Sequence, residues 1–312
     1  MTSRAEATNR RSSRRPPALA ARLPDFTRAL WRDPMHPTLF LPFIHSYGVM
    51  LAVGFYAAWW LGARRAKAEG VHPDVMGNLV LLSILAGVVG ARILWFALYR
   101  DPKDSWWVLI EVWKGGLVFY GGLIAGVAAD YVYLRATRQD VWRIADAAAP
   151  AIALGQGFGR LGCFLNGCCF GGVCSTSFPL QVRFPAILNE DGAPVGSAPF
   201  LEHVRQYGLA DNAGASLPVH PTQLYEAASL LMIAALIVVA TPYKRRHGEL
   251  FGLACVLNAA SRLGVEFVRR DTEPVLLGLN PGQVGALAIL GVGIGIILWR
   301  RLRGESAASS GA

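Results

Sequence analysis

Seven apolar runs, each near the ~20 residues that a helix needs to cross the hydrocarbon core of a bilayer, limit what this chain can become. They fall at about 43–62, 77–98, 115–134, 144–165, 223–241, 249–268 and 282–299. Inside a bilayer every backbone N–H and C=O must be satisfied within the protein, and runs of this length do so as helices. The expected fold is therefore an all-α membrane protein with about seven transmembrane helices. Only 16% of the residues are charged, where soluble domains carry about 25%. The formal charge of +9 does not point to nucleic acid, because most lysines and arginines lie in short clusters between the apolar runs.

Those clusters orient the helices. The segments after the first, third, fifth and seventh runs hold Arg64, Arg65 and Lys67; Arg135, Arg138 and Arg143; Lys244, Arg245 and Arg246; and Arg300, Arg301 and Arg303. They carry almost no acid and are expected on the cytoplasmic side. The N-terminus then lies outside, the C-terminus is cytoplasmic, and residues 166–220 form a small outward-facing (periplasmic) cap. Residues 37–303 read as the membrane domain, and 304–312 as a disordered C-terminal tail. Residues 1–36 read as a basic, disordered extension. No apolar h-region follows its arginines, so it is not a signal peptide, and Met35 is the expected natural start.

Polar residues within apolar helices are expensive and therefore informative. HSYG at 45–48 places His45 and Tyr47 near the outer end of the first run, either as interfacial anchors or as part of a site. Arg92 lies mid-run and needs an anion: an ion pair with Glu226 or Glu266, or a ligand. GGLVFYGG at 115–122 is explained by close helix packing, except for the polar Tyr120 at its centre. In GQGFGRLGCFLNG, Gly155 and Gly159 make a small-xxx-small face, and Arg160, Cys163 and Gly167 fall on one side of a helix. His220, Gln223, Tyr225 and Glu226 crowd the entrance of the fifth run. Arg262, Glu266 and Arg269 share a face of the sixth, where an Arg262–Glu266 salt bridge is expected. A guanidinium's planar fork suits phosphate or carboxylate, so arginines at three helices suit an anionic phospholipid.

Four of the five cysteines lie between 163 and 174. Their spacing, Cys163-x4-Cys168-Cys169-x4-Cys174, lacks the paired Cys-x2-Cys pattern of zinc sites, and no metal or other cofactor is expected. A disulfide on the outer face and buried small thiols both remain open.

SYG, GGLVFYGG, ALGQGFGRLGCFLNG…FG, HPTQLYEA and R-x3-E-F-x-R resemble, in this order, the prolipoprotein diacylglyceryl transferase family, over roughly residues 43–300. The resemblance implies a bacterial cytoplasmic (inner) membrane enzyme. Such an enzyme moves the diacylglyceryl group of phosphatidylglycerol onto the lipobox cysteine of a preprolipoprotein signal peptide and releases glycerol phosphate. Membrane lipid and that peptide are the implied partners. By the same resemblance Tyr47 lies in the lipid site, Arg160 and Arg262 hold the phosphate, and Glu266 orients Arg262. Asn166 and Gly171 fall on signature positions, while Arg92, His220, Gln223 and Tyr225 are expected around the substrate. Cys163 and Cys168 stand where the family has an asparagine and a glutamate, and Tyr120 stands where it has a histidine, its candidate base. A lipid-binding or transport paralogue without catalysis, and a membrane thiol-redox enzyme, are the alternative readings.

Overall fold

The structure, a computed structural model, describes residues 45–101, 103, 105–186, 197–210, 213–269 and 278–303. The expected extension at 1–36 and tail at 304–312 lie outside these residues. Among these residues eight α-helices follow one another: α1 (Ser46–Ala68), α2 (Pro73–Tyr99), α3 (Phe119–Ala136), α4 (Val141–Asn166), α5 (Ala198–Tyr207), α6 (Thr222–Ala240), α7 (Glu249–Glu266) and α8 (Pro281–Leu302). Each of the seven apolar runs is one of these helices, and α5 is the additional short one. Among the described residues there is no named strand, only isolated antiparallel bridges at Val173–Val219, Val182–Val219 and Pro185–Ala215.

Among the described residues three helical stretches, Pro73–Tyr99, Thr222–Tyr243 and Pro281–Leu302, are long and apolar enough to cross a membrane. α4 differs because it carries Arg143, Asp146, Gln156 and Arg160, and its position explains how these are tolerated. It is the central helix, packed on α1, α6 and α7, while α2 pairs with α3 and α7 with α8. Gly155 lets α4 approach α1 closely: a Cβ there would lie 3.3 Å from Ala58 Cβ and from the Gly54 carbonyl. Asp140 caps the start of α4 by accepting from Trp142 N at 2.9 Å and Arg143 N at 3.2 Å. Asp146, buried in α4, accepts from Gly248 N at 2.8 Å and Phe251 N at 2.9 Å. It thereby caps α7, whose own N-cap is a glycine without a side chain, and favours that positive helix end.

Arg92 corrects its sequence reading. Its guanidinium makes no ion pair with Glu226 or Glu266. Instead Nε donates to Leu109 O, Nη1 to the carbonyls of Gly115 and Gly116, and Nη2 to those of Val108 and Glu111. It also stacks 4.4 Å from the Trp95 ring. Every donor direction is used on backbone, so Arg92 organises the α2–α3 connection rather than a substrate. The glycines of GGLVFYGG do the rest of that packing: Gly121 and Gly122 lie against Gly90 and Gly87 of α2.

Between α4 and α6 the chain builds a small layer around Phe164, Phe170, Val182, Phe184 and Val219, covered by α5 with Phe200 and His203 buried. His203 Nδ1 accepts from Leu217 N at 3.1 Å, which requires the neutral ring, and burial lowers the His203 pKa. The unfolded chain then takes up protons near pH 6.5 while the folded chain resists them. This group's contribution is fully present above that value and is lost as pH falls below it. Amide exchange at Leu217, corrected for intrinsic rates, is expected to speed up between pH 7.5 and about 5; equal protection at both ends would rule this out.

Candidate active site

α4, α6 and α7 each contribute to one ion-pair network. Glu226, from the first turns of α6, faces both arginines: Oε2 pairs with Arg160 Nε from α4, and Oε1 with Arg262 Nη1 from α7 at 2.5 Å. Arg262 Nη2 also pairs with Glu266 Oε2 one turn further along α7, at 3.0 Å. Both carboxylates are buried, while the side chains of Arg160 and Arg262 are 29% and 24% exposed. Two guanidiniums and two carboxylates cancel, which makes burial of four charges tolerable. A guanidinium has five N–H donors. These ion pairs use one nitrogen of Arg160 and two of Arg262, so partly exposed donors remain that can meet an anion.

The expected Arg262–Glu266 pair is present. Glu226 is the member that sequence reasoning underrated: it was read as one of several polar residues at the entrance to α6, or as a partner for Arg92, and it is instead the bridge. The signal was its place within an apolar run, since an intramembrane acid calls for a cation. α8 closes over the network. A Cβ on Gly282 would sit 2.8 Å from Arg262 Nη2 and 2.7 Å from Glu266 Oε2, so a side chain there would have to displace the ends of both groups.

Tyr47 and Tyr120 stand at the edges. Tyr47, partly exposed on α1, packs on Gly162 of α4, where a Cβ would lie 3.1 Å from its Cδ2. Tyr120, exposed at the start of α3, places its hydroxyl beside Gly285 of α8, one turn from Gly282. Between α6 and α7 an apolar groove of about 450 Å³ is lined by Met232, Leu236, Leu257 and Val265. Ser229 and Ser261 meet at 2.6 Å in its wall.

Three expected substrate residues serve the framework. Gln223 is buried and donates through Nε2 to Cys168 O at 2.7 Å. Gly171 allows a close backbone approach: its N donates to His220 O at 3.0 Å, and a Cβ would lie 2.9 Å from that oxygen. His220 Nδ1 meets Tyr225 Oη at 3.3 Å, with the imidazole 4.7 Å from the Phe178 ring. Tyr225 also lines the apolar groove.

The cysteines converge despite their spacing. α4 ends in a left-handed Gly167 (φ 70°), and Cys169 is itself left-handed at φ 59°, an uncommon conformation for a residue with a Cβ. The turn is fastened to α6, because Thr222 Oγ1 donates to Cys169 O at 2.9 Å while Gln223 holds Cys168 O. As a result the sulfurs of Cys163, Cys168 and Cys169 all lie within 4.8 Å of one another. The spacing rule used above concerns paired motifs; a helix end followed by a doubled-back turn reaches the same convergence without it. Hydrogen bonds from Cys163 and Cys168 hold the Cys169 thiol well below the usual thiol range, with Arg160 and Arg269 adding to the effect. Asn166 is exposed at the helix end. Cys174 and Cys255 stand apart from the cluster.

Membrane-length apolar helices, with arginines of two helices joined by a buried carboxylate of a third, define a membrane protein with an ion-pair network among its helices. Residues 37–299 match the prolipoprotein diacylglyceryl transferase family, and the chain belongs to that family. The phosphatidylglycerol–prolipoprotein diacylglyceryl transferase of Chromohalobacter salexigens is 34% identical over 267 residues, covering 83% of this chain and 88% of the relative. The proteins of the same name from Clostridium tetani and Erwinia tasmaniensis are 30% and 33% identical, covering 86% and 82% of this chain and 99% and 88% of theirs.

Proposed function

We propose that this protein is a transferase that moves the diacylglyceryl group of phosphatidylglycerol onto the lipobox cysteine thiol of a preprolipoprotein, forming a thioether and releasing glycerol phosphate. The observation that carries this reading is the Glu226-bridged pair of Arg160 and Arg262 in a chain that matches the family over nearly its whole length. In the bilayer the arginines receive the headgroup phosphate, and the groove between α6 and α7 takes an acyl chain. As the glyceryl C–O bond breaks, charge grows on the departing phosphate. Fixed guanidinium donors in a low-dielectric site stabilise that charge more than they stabilise the diester. Glu266 and Glu226 hold the two forks in orientation, and Tyr47 and Tyr120 flank the lipid. The nucleophile belongs to the peptide, so the protein has to align the thiol with the glyceryl carbon rather than supply an attacking atom.

The basic segments at 64–67, 135–143, 244–246 and 300–303 favour seven crossings of a bacterial inner membrane, with the C-terminus cytoplasmic and the arginine network toward the outer half. Residues 166–220 then form the periplasmic cap, within a membrane domain spanning 37–303. The test is direct. In vesicles containing phosphatidylglycerol, a lipobox peptide is expected to gain one diacylglyceryl mass, and its Cys→Ser counterpart none. Saturable lipid binding with no adduct would mean a lipid-binding paralogue instead.

A further inference from the structure

We propose that Cys163, Cys168 and Cys169 form a three-thiolate site for a zinc-class divalent cation whose open fourth position takes the acceptor thiol. This rests on the transferase reading above and says how that thiol is activated. Tetrahedral zinc–thiolate sites have Zn–S distances of about 2.3 Å, which separates the sulfurs by about 3.8 Å. Here three sulfurs already lie within 4.8 Å of one another, so small χ1 rotations close the remainder. The site is built rather than incidental. Cys163 comes from the last turn of α4, and the next two sulfurs come from a turn that Gly167 and Cys169 bend through left-handed conformations. Thr222 and Gln223 fix the carbonyls of that turn to α6. A left-handed conformation is uncommon for a residue with a Cβ, and at Cys169 it accompanies the convergence of the three sulfurs.

Three protein ligands with one open position is the arrangement of catalytic rather than structural zinc. The location fits the role. Arg160 lies one helical turn before Cys163 on the same helix. Tyr47 packs at Gly162, the residue before Cys163. The cluster therefore adjoins the proposed phosphate site. A cation here turns a coordinating thiol into a thiolate outright. The acceptor R–SH binds as R–S⁻ and gives its proton to water. Its sulfur lone pair then forms the S–C bond to the terminal glyceryl carbon, while the electrons of that carbon's C–O bond leave on the phosphate oxygen as glycerol phosphate. The neutral thioether is a far weaker ligand and dissociates, which frees the position.

The full chain, reduced and loaded with Co²⁺ in phosphatidylglycerol-containing nanodiscs, reads the site without relying on turnover. The expected result is a single equivalent of cobalt with thiolate-to-metal charge-transfer bands and four-coordinate d–d absorption. Cys163→Ser, Cys168→Ser and Cys169→Ser should each weaken cobalt binding by about 100-fold or more, whereas Cys174→Ser and Cys255→Ser should retain the spectrum. A lipobox peptide should shift the d–d bands, and its Cys→Ser form should not. Failure to bind cobalt with all five thiols titratable, or a native disulfide within the trio, overturns the site. A cobalt spectrum indifferent to the peptide thiol overturns its role in activation. An intact, peptide-sensitive spectrum without transfer would support the site and count against the transferase reading instead.

Discussion

Arg262→Ala is expected to lower diacylglyceryl transfer by about two to three orders of magnitude, with the loss in kcat rather than in apparent lipid affinity. The reasoning follows the charge. A phosphodiester carries one negative charge, and the departing phosphate gains another as the C–O bond breaks. A guanidinium positioned against that oxygen is therefore worth more in the transition state than in the ground state. Arg262 is held for this by two carboxylates, one from α6 and one from its own helix, and it is covered by Gly282. Arg262→Lys keeps the charge but loses the planar fork that meets Glu226 and Glu266 through separate nitrogens, so partial activity is expected, about tenfold down or more. Removing Arg262 also leaves two acids facing one arginine, which can unfold the site by itself. The double variant Arg262→Ala/Glu266→Gln restores neutrality. It should recover thermal stability without recovering transfer; recovery of transfer would show that Arg262 is structural.

The lengths and order of the helices were legible because apolar run length is a coarse physical quantity that a bilayer imposes directly. Each predicted run became a helix, with ends displaced by up to six residues: the first helix runs on to Ala68 rather than stopping at about 62. The Arg262–Glu266 pair was legible for a similar reason, since residues four apart on a helix must be neighbours. Three-dimensional partnerships were not. Nothing in the sequence separates an arginine aimed at a ligand from one aimed at carbonyls, and Arg92 differs from Arg160 only in what the α2–α3 connection places around it. Glu226 was visible, but its partners come from helices 66 residues before and 36 after it, beyond any local periodicity. Gln223 and Gly171 looked like site residues because polar or unusual positions near a site often are. Their work is to fix the turn that carries Cys168 and Cys169.

Glu226→Gln tests the bridge itself. Glutamine keeps the shape and removes one charge, leaving two mostly buried guanidiniums with one carboxylate, Glu266, which pairs with Arg262. Removing one partner from a buried network typically costs about 3–5 kcal/mol. The arginines here are about a quarter exposed, so solvent screening places the expected loss at or below the lower end. The informative measurement is how that loss depends on lipid. If the arginines receive phosphate, an anionic headgroup can take the place of the missing carboxylate. The melting temperature of Glu226→Gln should then drop in phosphatidylcholine nanodiscs and recover in part in phosphatidylglycerol, with a smaller lipid effect in the unaltered protein, where Glu226 already occupies the guanidiniums. Transfer should stay low in both lipids, because a phosphate that replaces Glu226 as the structural bridge no longer sits where the leaving oxygen needs it. An equal loss of stability in the two lipids would mean that the arginine pair does not see the headgroup, and the phosphate site would have to be sought elsewhere in the protein.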